Sequence, residues 1–399
     1  MIYNPHLHNF KQFISDWDIE TEYVLFGASK ECVQFIRSMD FLLGSGRLKI
    51  KYIVDHDVKS STIINNLNEI SSYYRESKQY KSDRKNIKLI HIDEFNGNEK
   101  VIITTDEYRQ RYIKYLDERN VTHTTYKHIA GIWPLMYKNL VHIFQTDVLV
   151  TERCNLACSH CNMFIPHYDN PNHRNLSTII TDIDSYFKVV DFVSVFHLVG
   201  GEPFLHPDIE NIIQHILLNH IDKLDKLIIT TNGTVTPKES ILQLLKDSDV
   251  ILSISDYSDK LPKLKNKVMR TIEEYKNYEI KHYVRNEIEW YDFGDLRVKK
   301  NLEIDKLIKH FDSCTAPFRG LNDGKFYYCH LNTSAVRTNL FPLSDNDYVS
   351  LNNISNEDLI KFDLGYTDLG YITFCDNCNG CNTGIKVPVS YEKQGIREL

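Results

Sequence analysis

Eight of the nine cysteines fall after residue 150, in two groups, and their spacing could do chemistry. The first group is Cys154, Cys158 and Cys161 in the run Thr151-Glu152-Arg153-Cys154-Asn155-Leu156-Ala157-Cys158-Ser159-His160-Cys161, a C-x3-C-x2-C pattern. Three thiolates on one tight loop can hold three corners of a cubane iron–sulfur cluster and leave the fourth iron free for a substrate. A closed tetrahedral zinc site needs a fourth ligand, which His160 or His167 could offer, so the cysteine spacing alone leaves zinc open. The second group opens with Cys314, continues through Gly324 to Cys329 as C-x9-G-x4-C, and ends with Cys375, Cys378 and Cys381. Gly324 permits a tight hairpin that returns Cys329 toward Cys314, and a four-cysteine zinc site is compatible with this spacing too. Cys32 stands alone in an apolar helical pattern and reads as a small buried hydrophobe.

The elements that must position these groups alternate between strand and helix. Residues 22–27 read as a buried strand ending at Gly27, followed by a helix from about Lys30 to Phe41. Strands at 48–54, 87–92 and 101–104 and a helix from about Glu107 to Glu118 complete a small Rossmann-like unit, interrupted by a polar insertion between Asp57 and Asn86. A fresh series starts near Ile143. Asp147–Val150 is its first strand, and the three-cysteine loop follows at once. A helix from about Ser177, with Ser177 as its N-cap, is followed by strand 195–199 and Gly200-Gly201-Glu202-Pro203. Strands 227–231, 250–254 and 280–284 then alternate with helices at 209–216, 240–245 and 264–275. Five or six such units suit a partial barrel, with functional loops at the carboxyl ends of the strands. The expected fold is therefore α/β: a partial (β/α)6 TIM-like barrel over 143–300, preceded by a small Rossmann-like α/β domain over 1–142 and followed by an irregular cysteine-rich extension over 301–399.

Composition excludes several classes. With a net charge of −7, 42% hydrophobic and 25% charged residues, the chain lacks the basic excess that a phosphate backbone calls for, so no nucleic-acid partner is expected. No apolar run is long enough for a membrane span, and no secretory signal is read at the N-terminus. The expected compartment is the cytoplasm, where cysteines serve as thiolate ligands rather than as a disulfide framework.

The cysteine loop resembles the signature of the radical S-adenosylmethionine (SAM) superfamily, with His160 in the place usually taken by an aromatic residue. Gly200-Gly201-Glu202-Pro203 is similar to that family's glycine-rich SAM-binding motif, and Asn232 and Ser253 fall at the ends of the next two strands, where the family makes polar contacts to SAM. The resemblance covers roughly residues 145–285. It implies a four-iron four-sulfur cluster on Cys154, Cys158 and Cys161, and SAM contacts from Gly200, Gly201, Glu202, Pro203, Asn232, Ser253 and His160, with the Glu202 carboxylate on the methionine ammonium. The C-terminal cysteines resemble the SPASM and twitch extensions of that family. They imply one auxiliary four-iron four-sulfur cluster on Cys314, Cys329, Cys375 and Cys378, with Cys381 as an alternate ligand or reactive thiol.

The implied activity is that of an oxidoreductase or epimerase which cleaves SAM to a 5′-deoxyadenosyl radical, fed by a one-electron donor such as flavodoxin or ferredoxin. Peptide maturases of this kind often carry a small winged-helix domain. The βαβ pattern here shifts the expected substrate toward a sugar-type or other small molecule, with a peptide as the alternative and a non-catalytic iron–sulfur or zinc scaffold as the rival class. Gly27 is the only glycine of a dinucleotide fingerprint in the first domain, with Asp55 where a ribose-binding acid would stand, which suggests recognition of a nucleotide-linked substrate or docking of a partner. Residues 162–168 and the acidic, aromatic stretch 287–295 are candidate substrate-facing segments. No catalytic side chain is assigned.

Overall fold

The computed structural model describes residues 9–59, 87–286, 289–315, 318–381 and 385–389. Most of the polar insertion lies outside them, as do Glu287 and Ile288 of the second candidate segment. The chain divides into two compact units, one running to Phe144 and including Asn356–Tyr366, the other comprising Gln145–Ser355 and the residues from Thr367 onward.

In the first unit, strands β1 (Glu22–Phe26), β2 (Lys49–Asp55), β3 (Leu89–His91), β4 (Val101–Ile103) and β5 (His123–Thr125) form a parallel sheet in the order β3-β2-β1-β4-β5. The central strand is apolar because helices cover both its faces: Val24, Leu25 and Phe26 are fully buried, and the Phe26 ring meets Phe95 at 4.8 Å and Tyr112 at 5.4 Å edge-on. After α1 (Phe10–Asp16) at the start, α2 (Lys30–Leu43) begins at Ser29, whose hydroxyl accepts from the Cys32 amide, and ends at Gly44 with φ of 102°. Helix α3 (Arg109–Asp117) precedes β5. Helix α4 (Tyr126–Lys138) is absent from the sequence expectation because Gly131 and Pro134 interrupt it. It forms because burial outweighs propensity: Trp133 is fully buried and donates to the Trp17 carbonyl at 2.8 Å. A Cβ at Gly131 would lie 3.4 Å from Ile360, so the glycine lets the late helix α11 (Asn356–Asp363) pack closely.

The second unit holds an eight-stranded sheet in the order β10-β9-β8-β7-β6-β12-β13-β14. Strands β6 (His142–Thr151), β7 (Phe192–Gly200), β8 (Leu224–Thr231), β9 (Ile251–Asp256) and β10 (His282–Asn286) alternate with α5 (Leu176–Val189), α6 (Ile209–Asn219), α7 (Glu239–Lys246) and α8 (Lys265–Asn277), as a partial TIM-like barrel requires. The N-cap of α5 is Asn175, not Ser177: its Oδ1 accepts from the Ser177 amide.

Downstream of β11 (Glu289–Tyr291) and α9 (Ile304–Ser313), strand β12 (Arg319–Asn322) adds a sixth parallel strand, attached to β6 rather than to β10. It hairpins through Asp323 and Gly324, both at positive φ, into β13 (Lys325–Tyr327), which pairs with β14 (Tyr348–Ser350). Asp182 on α5 accepts from the amides of Asp323 and Gly324 at 2.8 and 2.7 Å, and pairs with buried Arg174 at 2.6 Å, so the hairpin tip is fixed to the barrel. The extension over 301–399 is therefore not a compact unit of its own. Its strands β12, β13 and β14 prolong the barrel sheet, and α11 belongs to the first unit. The remaining elements are α10 (His330–Arg337) and β15 (Lys386–Pro388), which pairs with β11.

Candidate SAM and iron–sulfur site

Cys154, Cys158 and Cys161 follow β6 on a loop held by short-range contacts. The Cys161 amide donates to the Cys158 carbonyl at 3.1 Å, and the Phe164 amide to that of Cys161 at 2.9 Å, with Phe164 in the left-handed region. The loop lies against the end of β7. Gly201 donates to the Thr151 carbonyl at 2.7 Å and Glu202 to that of Arg153 at 2.8 Å. A Cβ would come within 2.7 Å of the Thr151 oxygen at Gly200 and within 2.2 Å of the Arg153 oxygen at Gly201. Both glycines are thus required where two strand ends meet, at the edge of a cavity of about 310 Å³ that Cys154, Cys158, Cys161, Gly200, Gly201 and Asn232 help to line.

Of the residues expected to touch SAM, His160, Gly200, Gly201 and Asn232 line this cavity. Glu202, Pro203 and Ser253 do not, and each departure has a physical cause. Glu202 is fully buried and its carboxylate accepts from the Asn232 amide at 2.8 Å, the Thr231 hydroxyl at 2.8 Å and the Phe204 amide at 3.2 Å. It ties the end of β7 to the end of β8 and has no part in the cavity wall. Burial raises its pKa to about 7 despite these three donors. Pro203 opens a short 3₁₀ turn capped by Glu202. Ser253 lies one side-chain repeat further back on β9, and Ser255 takes its place on the lining, where it accepts from Arg285 at 2.8 Å.

Asn232 connects this wall to the cysteines. Its Nδ2 lies 3.7 Å from the Cys154 sulfur and donates to Asn155, while its Oδ1 accepts from the Thr234 amide and hydroxyl. Burial raises the thiol pKa of Cys154, Cys158 and Cys161. Desolvated thiols are poor thiolates unless a cationic centre compensates, and iron at the cavity edge would do so. The donor set therefore fits a cluster.

Asn162 and Met163 of the first candidate segment and Glu289, Trp290, Tyr291 and Phe293 of the second also line the cavity, while its polar interior was largely missed by sequence reasoning. Asp147, His197, Thr230, Ser255 and Arg285 project from five neighbouring strands, and His330 opens α10. Asp147 is buried, with His197 Nδ1 at 3.4 Å, His330 Nδ1 at 3.3 Å and Gln145 donating at 2.9 Å. Burial pushes its pKa up, yet the two imidazoles and Gln145 bring it below the ordinary value. His197 Nε2 bonds the Thr230 hydroxyl at 2.6 Å. His330 is 5% exposed and its Nε2 finds no hydrogen-bond partner among the described residues. The available signal was a polar residue breaking an apolar strand, as in Val195-Phe196-His197-Leu198-Val199. At the rim, Tyr257 and Trp290 pack edge-on at 5.5 Å.

The five C-terminal cysteines also converge. Cys314, Cys329, Cys375 and Cys378 surround a smaller cavity of about 30 Å³, with His310 bonded to the Cys378 carbonyl at 2.9 Å. Cys381 is not part of that wall, but its thiol is hydrogen-bonded with Cys314. Burial raises the pKa of Cys378 to about 12. In the first unit, Asp55 is buried and its carboxylate accepts from the Ala28 amide at 2.9 Å, so the expected ribose-binding acid is consumed in closing the β1–α2 turn. Among the described residues no helix is long and apolar enough to cross a membrane.

Residues 148–286 match the family model of the radical SAM superfamily. The subtilosin biosynthesis protein AlbA of Bacillus subtilis (strain 168) is 34% identical over 27% of this chain and 22% of its own length. A GTP 3′,8-cyclase of Aquifex aeolicus (strain VF5) is 33% identical over 25% of this chain and 31% of its own. The matches thus span less than a third of either relative. The solved structure of His6-tagged anSMEcpe with bound AdoMet aligns over 59% of this chain and 83% of its own, at 14% identity and a TM-score of 0.39. Residues 148–286 are therefore a radical SAM domain, and the cofactors of that family are a four-iron four-sulfur cluster and S-adenosylmethionine.

Proposed function

We propose that this chain is a radical SAM enzyme acting on a small, hydroxyl-rich substrate of sugar type, which it oxidises or epimerises at carbon. The observation that carries the substrate class is the polar interior of the cavity: Asp147, His197, Thr230, Ser255, Arg285 and His330 offer hydrogen bonds from neighbouring elements, and His330 Nε2 is buried without a partner among the described residues. An unsatisfied buried polar atom is costly, and a substrate hydroxyl would satisfy it.

Cys154, Cys158 and Cys161 would hold the SAM cluster, while the backbone at Gly200 and Gly201 and the side chains of Asn232 and His160 would seat SAM beside it. Cys314, Cys329, Cys375 and Cys378 would hold an auxiliary cluster, with Cys381 in reserve next to Cys314. When bound, the reduced cluster and SAM supply a 5′-deoxyadenosyl radical that removes a hydrogen atom from carbon. The chain's own part is orientation and exclusion of water. Arg285, held by Ser255, presents a cation to the substrate, and Tyr257 with Trp290 covers the rim.

A second reading, a peptide-modifying maturase, draws on the likeness to AlbA, a bacteriocin biosynthesis protein. One experiment separates the two. Anaerobically reconstituted protein is given SAM, a reductant and deuterated candidates, either sugars and nucleotide sugars or peptides, and deuterium is read in 5′-deoxyadenosine. Label arriving only from the sugar panel is expected, and label only from peptides would replace the first reading with the second. SAM cleavage no faster than in the Cys154→Ala/Cys158→Ala/Cys161→Ala variant would sink both.

A further inference from the structure

On the outer helical layer of the second unit, remote in sequence from both cysteine groups, three side chains of ligand type meet. Asp184 projects from α5, His215 from α6, and His220 directly follows α6. The Nε2 atoms of His215 and His220 each lie 2.7 Å from the same oxygen, Asp184 Oδ1, and the three donor atoms lie within 4.8 Å of one another. A carboxylate offers about four lone-pair positions over two oxygens, so two imidazoles seeking only hydrogen bonds could spread across it. Here both nitrogens converge on one point. Among the described residues this is the group of three or more such donors gathered that closely.

Separate contacts hold each ring. His220 stacks on Phe187 with centroids 4.6 Å apart and planes 19° from parallel, and His215 Nδ1 lies 3.2 Å from the Asn219 amide, which also bonds the His215 carbonyl. The side chains are partly open to solvent, at 22% for His215, 13% for His220 and 40% for Asp184, so an ion could enter and a water could complete the shell.

We propose that Asp184, His215 and His220 bind a zinc-class divalent cation that clasps α5 to the turn between α6 and β8. Two imidazoles and a carboxylate, without thiolate, suit zinc among the ions that take nitrogen and oxygen ligands. Zinc–ligand bonds of about 2.0–2.1 Å put tetrahedral donors about 3.3 Å apart, so each imidazole needs to withdraw by only about 0.6 Å. With Nε2 on the metal, His215 Nδ1 carries the ring proton and gives up its contact with Asn219 Nδ2, which keeps its bond to the His215 carbonyl. The site is independent of the radical chemistry.

The test uses the full chain with its clusters reconstituted, exposed to zinc at about 100 µM and then gel-filtered, with zinc and iron counted together. One zinc per chain is expected to stay bound. Its extended X-ray absorption fine structure should report nitrogen and oxygen at about 2.0–2.1 Å and no sulfur at about 2.3 Å. Asp184→Asn and His215→Ala should each weaken zinc binding roughly a hundredfold while iron content stays unchanged. Unchanged iron keeps the comparison meaningful, since a misfolded variant would lose its clusters. Zinc ligated by sulfur, zinc held equally by both variants, or no retained zinc would each overturn the proposal.

Discussion

Substituting Gly201 by alanine isolates what the glycine turn does. The new Cβ would stand 2.2 Å from the Arg153 oxygen, 2.5 Å from its carbonyl carbon and 2.9 Å from the Cys154 Cβ. The two closest contacts are backbone atoms, so no side chain can swing aside to relieve them. Restoring normal separations of about 3.5 Å requires the strand end and the cysteine loop to part by roughly 1 Å. That movement breaks the bonds from Gly201 to Thr151 and from Glu202 to Arg153, now 2.7 and 2.8 Å. Two hydrogen bonds at about 0.5–1.5 kcal/mol each, with about 1–3 kcal/mol of overpacking, place roughly 2–6 kcal/mol of strain on the loop that carries the three cysteines. The expected result is loss of the first cluster, about half the iron of a two-cluster chain, and loss of the change that SAM causes in the electron paramagnetic resonance spectrum. The control is Gly46→Ala, where the Cβ meets nothing within 4 Å and only the positive φ of 81° is penalised, at about 1–2 kcal/mol. That variant should keep all its iron. A Gly201→Ala protein with full iron and an intact SAM response would refute the argument that these strand ends need the missing Cβ.

Two further outcomes follow from charge. Glu202 is held at a pKa of about 7, above its ordinary 4.5, so between those values the folded chain keeps a proton that the unfolded chain releases, and folding stability falls as pH rises from 4.5 to 7. Glu202→Gln should remove that slope, worth roughly 3 kcal/mol across the window, and melting midpoints of parent and variant at a series of pH values check it; parallel curves would count against it. Lys300 sits beside the auxiliary cysteines, its pKa lowered by burial and pulled back up by Cys378 and Cys375. Lys300→Gln removes a cation that favours the reduced cluster, so the auxiliary midpoint potential should fall with iron content unchanged, and a potential that stays put or rises would contradict the placement.

What was legible in the sequence is what strand alternation and local spacing encode. The parallel strands, the cysteine loop, the glycine turn and the Asp323-Gly324 hairpin all declare themselves through periodicity or through residues that tolerate positive φ. Helix α4 was hidden because its stability comes from tertiary burial of Trp133, which outweighs Gly131 and Pro134. The attachment of β12 to β6 was hidden because register between segments some 170 residues apart leaves no local trace. The same limit applies to Asp147, His197 and His330: nothing local links positions so far apart in sequence, and only the fold shows that they meet.

At Glu202 the expected contact with the methionine ammonium stands beside three hydrogen bonds that the folded chain already makes to the same carboxylate. A carboxylate at a strand's carboxyl end, beside a ligand with an ammonium group, invites a direct ion pair. Backbone amides and a hydroxyl compete for the same oxygens. In the folded chain those donors come from Thr231, Asn232 and Phe204, and Asn232 in turn reaches toward the sulfur of Cys154. The Thr151 carbonyl, the Gly201 amide, the Glu202 carboxylate and the Asn232 side chain therefore form one chain of contacts across the ends of β6, β7 and β8. A buried carboxylate that closes such a chain sets the spacing of three strand ends at once. Its removal would reach SAM through the position of Asn232 rather than through a lost contact, so Glu202→Gln should weaken SAM binding only as far as it displaces Asn232.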